Sequence, residues 1–311
     1  MSATLDWLLA PPLTFAVLAA VLHGRGTRHQ LRLTSPARLA SLKWRTAAFY
    51  AALATVVAAL DSPIDDEATT LFWVHMVQHV MLMMVAAPLL VLAAPWIPIW
   101  RGLAVRDRRR LALWYLRSRG WRAARGVGRQ MTAPLAAWIL FDVNLCAWHV
   151  PALYDLALRS WALHDLEHVS FLLLGVVFWL GVIDSPPLHA RLDPVRGIAY
   201  VVLGATVAWA LAVVLAFTPA PLYSAYADLH ARPGGLTALA DQQIAAGIMW
   251  GPASIPYAVF VFIALYRWLA PEGDADGARH NRRRRTGARR CTVARFNFSN
   301  NARGKDRRPS F

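Results

Sequence analysis

LFWVHMVQHVMLMMVAAPLLVL, Leu71–Leu92, is the stretch on which the reading of this chain turns. Apart from Gln78 and two histidines it is apolar throughout, with no Asp, Glu, Lys or Arg. At ~1.5 Å per helical residue it reaches across the ~30 Å hydrocarbon core of a bilayer. It therefore reads as a membrane-crossing helix. His75, His79 and Met83 fall at i, i+4 and i+8 on it and share one stripe, with Met76 beside them.

Outward from this run, comparable stretches lie at Leu5–Leu22, Thr46–Leu60, Ala133–Val150, His164–Ile183, Gly197–Phe217 and Asp241–Leu269, of which Thr46–Leu60 is the shortest. Composition agrees: of 311 residues, 57% are hydrophobic and 16% charged, which excludes an ordinary soluble domain. The expected fold is all-α and polytopic, with seven transmembrane helices over residues 1–271 and a basic tail over residues 272–311. Asp6, with no Lys or Arg before it, argues against a cleaved signal peptide, so the first run reads as a retained helix.

The basic residues give the orientation. Six Lys or Arg lie between Arg25 and Arg45, ten between Arg101 and Arg129, and two at Arg191 and Arg196. The alternate loops hold almost none: Asp61–Thr70 has zero, Pro151–Leu163 only Arg159, and Thr218–Ala240 only Arg232. Positive loops stay cytoplasmic, so the N-terminus is expected outside and the C-terminus inside. The net charge of +15 is concentrated after Ala278, where twelve Lys or Arg face one acid. An aperiodic polybasic segment beside a last helix suits anionic lipid, and no nucleic acid is expected. The stretch Arg101–Gln130, where Leu111, Leu113, Trp114, Leu116 and Trp121 punctuate the arginines, reads as a basic amphipathic segment on the inner surface.

The two cysteines, Cys146 and Cys291, fall at different depths, and no structural disulfide is expected. Five of the ten histidines gather instead at helix ends on the outer side: His75, His79, His149, His164 and His168. His164 and His168 form a second i, i+4 pair, flanked by Asp165 and Glu167. Asp142, Cys146 and His149 make a stripe on the fourth run, where Asn144 or Gln78 could satisfy the buried carboxylate. Asp241 starts the seventh run on the same side, with Met249 two turns deeper. Imidazole is the commonest protein metal ligand, and carboxylates such as Asp165, Glu167 or Asp241 could take the second ring N–H. Histidine with methionine and a possible thiolate suits copper, Cu(I) above all. Ligation needs neutral imidazole, so affinity should fall as pH drops through about 6.5.

HMVQH at His75–His79, AWHVPALYDLAL at Ala147–Leu158, HDLEHVSFLLLGVVFW at His164–Trp179 and DQQIAAGIMW at Asp241–Trp250 resemble the multi-spanning CtaG family of bacterial cytochrome c oxidase assembly factors, over roughly Leu5–Trp268. An unrelated single-span copper chaperone type shares that family name, and this chain does not resemble it. The resemblance implies a plasma-membrane protein that is not an enzyme. It implies partnership with oxidase subunits, other copper chaperones being possible, and supply of copper to an oxidase copper centre. The motif histidines, with Asp241, are the implied site. The Arg-rich tail after Glu272 and the long basic loop before the fourth run depart from the family pattern. A haem-binding redox protein, a copper transporter and a metal-free scaffold remain as alternative readings.

Overall fold

The computed structural model describes residues 11–32, 34–229 and 232–270, so the expected basic tail, Cys291 and His230 lie outside the described residues. Among those residues every extended element is a helix, with a single β-bridge between Ser185 and Leu188. The chain divides into two units, Met1–Leu265 and Tyr266–Phe311. The first carries the candidate site; of the second, Tyr266–Ala270 are described, and Tyr266–Leu269 are the last residues of the final helix.

The longer helices are α1 (Pro11–Leu31), α2 (Pro36–Leu60), α3 (Phe72–Ala93), α4 (Val105–Arg117), α5 (Arg119–Met131), α6 (Pro134–Trp148), α7 (Pro151–Arg159), α8 (Trp161–Leu180), α9 (Pro194–Phe217), α10 (Ala238–Trp250) and α11 (Ser254–Leu269). Proline opens α2, α6, α7 and α9, where its missing N–H costs nothing and its fixed φ suits the first turn. The Asp193 side chain accepts from Arg196 N to cap α9, and Thr237 accepts from Ala240 N to cap α10.

Among the described residues four helices are long and apolar enough to cross a membrane: α3, α8, α9 and the 32-residue stretch Ala238–Leu269 that joins α10 to α11. The protein is therefore a membrane protein. The run at Ala133–Val150 becomes α6, only 15 residues long, and it passes as a span only with the helix before it, from which it bends by 81°. The first two runs belong to longer helices than their apolar cores suggest. α1 takes in Arg25 and Arg28, α2 takes in Arg38, Lys43 and Arg45, and the beginning of the first run lies outside the described residues.

α3 is not uniform. Residues Met81–Ala86 widen into a π-helix, a local form that often marks a functional region. The widening leaves the Met83 carbonyl to accept from Trp179 Nε1 at 3.1 Å. α8 comes close here because Gly175 lies against Met83 and Ala87; a Cβ on Gly175 would stand 3.0 Å from the Ala87 Cβ and 3.2 Å from the Met83 Cα. With His75 beside His164 and His79 beside His168 at the other end, α3 and α8 run parallel. By contrast α4 buries no residue, and Trp114 packs on Trp121 of α5 with ring centroids 5.1 Å apart. Arginine and exposed Leu111, Trp114 and Leu116 thus share one amphipathic unit, as the sequence suggests.

Candidate metal centre

The first two turns of α3 and α8 bring four imidazoles together. Ring centroids are 4.4 Å apart for His75 and His79, 4.3 Å for His164 and His168, 5.1 Å for His75 and His164, and 5.4 Å for His79 and His168. The C-terminus of α6 adds His149, 6.4 Å from His79. His75, His79, His149 and His168 are buried, while His164 is half-buried and opens the cluster to the helix ends. Glu167, fully buried, sits among them with Oε1 3.5 Å from His79 Nε2 and Oε2 4.0 Å from His75 Nε2.

The hydrogen-bond inventory is incomplete in a telling way. His75 Nε2, both nitrogens of His79, His164 Nε2, His168 Nε2 and both oxygens of Glu167 are buried with no hydrogen-bond partner. A buried polar atom left unsatisfied costs about 1–3 kcal/mol, so so many in one place ask for a common partner. Donor atoms of His75, His79 and His168 lie within 4.8 Å of one another, as do those of His75, His164 and Glu167. Metal–nitrogen bonds of ~2.0 Å need a somewhat tighter set than this.

Two of the rings are oriented by their other nitrogen. His149 Nδ1–H donates to the Leu145 carbonyl at 2.7 Å, which leaves the Nε2 lone pair facing Met76 Sδ at 3.4 Å. His75 Nδ1 lies 2.8 Å from the Tyr154 hydroxyl and 3.0 Å from that of Tyr226. Tyr226 gives its own proton to the Ala68 carbonyl, so its oxygen can accept from Nδ1–H, and His75 Nε2 is left free to ligate. The short helix Ser224–Ala227 that carries Tyr226 is held by Asp155, whose carboxylate accepts from Ser224 N, Ser224 Oγ and Ala225 N.

The other sequence candidates fall elsewhere. Asp241 caps the start of α3: its oxygens accept from Phe72 N at 3.0 Å and Trp73 N at 2.9 Å, with Arg232 Nε 3.9 Å away. It therefore positions the histidine helix from outside the cluster. Cys146 is exposed on the outer surface of α6, and Met249 is buried in the apolar core. Asp142 is buried with both oxygens unpartnered. Neither candidate partner reaches it: Asn144 accepts from Trp148 Nε1, and Gln78 donates to Ala59 O and to Asp65.

Sequence pattern alone does not single out Tyr154, Tyr226 or Asp65. Tyr154 stood inside a quoted motif, but nothing in its spacing shows that it reaches His75. Asp65, in the short helix Pro63–Ala68 beside the cluster, is held by Gln78 Nε2 at 2.8 Å. Burial pushes its carboxyl above the ordinary value of 3.8, opposed by the Gln78 hydrogen bond and by the nearby His164.

Fold and site together define a helical membrane protein with a buried polyhistidine cluster at one end of its apolar helices. The model of the cytochrome c oxidase caa3 assembly factor family (Caa3_CtaG) matches residues 5–270, and the chain belongs to that family. An uncharacterized protein of Mycobacterium bovis is 25% identical over 233 residues, which is 72% of this chain and 34% of that protein. An uncharacterized protein of Mycobacterium leprae is 23% identical over 232 residues, again 72% of this chain and 34% of the relative. The chain thus spans about a third of the length of the curated relatives it matches. No solved structure matches.

Proposed function

We propose that this protein takes part in cytochrome c oxidase assembly by holding copper, as Cu(I) in preference, in the cluster of His75, His79, His149, His164 and His168, and passing it to an oxidase copper centre. The observation that carries this reading is the set of buried, unpartnered imidazole nitrogens around an unpartnered Glu167 carboxylate. A cation would satisfy several of them at once. Rings packed 4.3–6.4 Å apart favour an ion over a haem, whose macrocycle must separate its axial ligands. The Met76 thioether beside His149 Nε2 adds a soft donor suited to Cu(I). The copper is cargo, and no turnover chemistry is assigned to the chain.

In this reading the protein crosses the bacterial plasma membrane seven times, N-terminus outside, with the cluster on the outer side. The exposed Arg and Trp residues of α4 and α5, and the tail, meet anionic lipid inside. Oxidase subunits are the recipients, and other copper chaperones are candidate donors. The parallel course of α3 and α8 supports the arrangement, because both first turns then lie on one side of the membrane. In a variant lacking Cys146 and Cys291, an impermeant thiol reagent on intact cells should label Glu67→Cys and spare Ala123→Cys; the reverse pattern sinks the orientation. Metal analysis of detergent-purified protein tests the site. Wild type should carry copper and His79→Ala with His168→Ala should hold much less of it, so full occupancy in that double variant would refute the assignment.

A further inference from the structure

The cluster contains two overlapping triads, and His75 belongs to both. One is His75, His79 and His168; the other is His75, His164 and Glu167. They stand at different depths. His79 and His168 each lie one turn, ~6 Å, further along their parallel helices than His75 and His164. The deeper pair is buried and His164 is half-buried. His75 can serve only one ion at a time, since Tyr154 and Tyr226 occupy its Nδ1 and leave Nε2 alone to ligate. Glu167 reaches toward both levels, one oxygen to His79 Nε2 and the other to His75 Nε2.

We infer that the cluster offers one metal ion two alternative positions that share His75: an outer one completed by His164 and Glu167, and an inner one completed by His79 and His168. The inference rests on the reading of this cluster as a metal centre. The ion moves by ligand exchange, with His164 and the Glu167 carboxylate leaving as His79 and His168 enter, while His75 stays bound throughout. No charge or electron is transferred in the step. The carboxylate offers the outer position an anionic oxygen that helps strip water from an arriving ion, and the inner position surrounds it with nitrogen alone. Such a device lets the protein accept or release an ion at the exposed level without ever freeing it from His75.

The test uses the full-length purified protein in detergent with Co(II) as the probe, read by its visible absorption and by bound metal per chain. Wild type should bind one Co(II). His79→Asn and His164→Asn should each still bind one ion, about tenfold more weakly or worse, with visible bands that differ from each other. His164→Asn should also load more slowly than wild type, because the exposed ligand is gone. His75→Gln, which keeps a polar group toward Tyr154, should bind none. Elution as wild type on size exclusion confirms that each variant is folded. Two ions per chain in wild type would overturn the shared position. So would complete loss of binding in either His79→Asn or His164→Asn, or an unchanged spectrum and affinity in either. Failure of wild type to bind Co(II) or copper at all would instead refute the metal reading itself.

Discussion

Glu167 and Asp142 are both carboxylates buried among apolar helices, and both leave their oxygens without hydrogen bonds. Their surroundings differ. Glu167 lies within 4.0 Å of imidazole nitrogens from the facing helix, two further histidines being on its own. Asp142 has no imidazole near it; it borders a groove with Trp138, Val143, Cys146 and Val207. A buried anion is tolerated when something positive or proton-donating meets it, and only the Glu167 site gathers enough lone pairs to hold a cation there. Burial of a carboxylate in a membrane helix marks a position of interest. The neighbours decide whether it marks a metal.

The comparison breaks most sharply at the histidines. His79→Ala combined with His168→Ala should sharply lower copper retention, measured as metal per chain, because only the exposed set of His75, His164 and Glu167 remains, while the protein still inserts and elutes as wild type. Next in size, Glu167→Gln should weaken metal affinity by about tenfold to a hundredfold, whereas Asp142→Asn should leave it unchanged. Competitive titration with a chelator reads both, and equal losses would erase the distinction between the two carboxylates. A smaller effect is expected at Asp241→Ala, which removes the cap from α3. That change should lower stability by about 1–2 kcal/mol, seen as a reduced thermal midpoint, with the number of ions bound unchanged.

Asp65 should supply a gentler pH dependence. Its carboxyl is raised by burial in the folded protein, so the folded state holds its proton more tightly than the unfolded chain does. Stability contributed there is therefore lost as pH rises from 3.8 toward the raised value, and Asp65→Asn should flatten that part of the profile. The smallest effect belongs to Cys146→Ser. The thiol is exposed on α6, away from the cluster, so metal content should not change, and a change would move the site toward that helix.

Hydrophobic run length, the charge-free interior of Leu71–Leu92 and the i, i+4 spacing of its histidines were legible in the sequence, because helix geometry alone fixes which residues of one helix share a face. They were enough to specify membrane helices and to bring His75 with His79, and His164 with His168. The same rule grouped Asp142, Cys146 and His149, yet that stripe does not stay together: His149 enters the cluster, Asp142 is buried apart from it, and Cys146 is exposed. Spacing says which side chains point one way. It cannot say what a helix packs against there.

That second question belonged to the tertiary structure. Gly175 lets α8 approach the π-helical segment of α3, and this close parallel contact is what sets the two histidine pairs face to face. Asp241 arrives from α10 to cap α3, and Tyr154 from α7 and Tyr226 from the short helix Ser224–Ala227 arrive to orient His75. None of these contacts leaves a local periodic signature, since each joins residues far apart in the chain. The sequence by itself determined the helices, their apolarity and the chemistry each one carries. Only the packing of those helices decided which carboxylate and which rings meet, because an inter-helix distance depends on the shape of both surfaces at once.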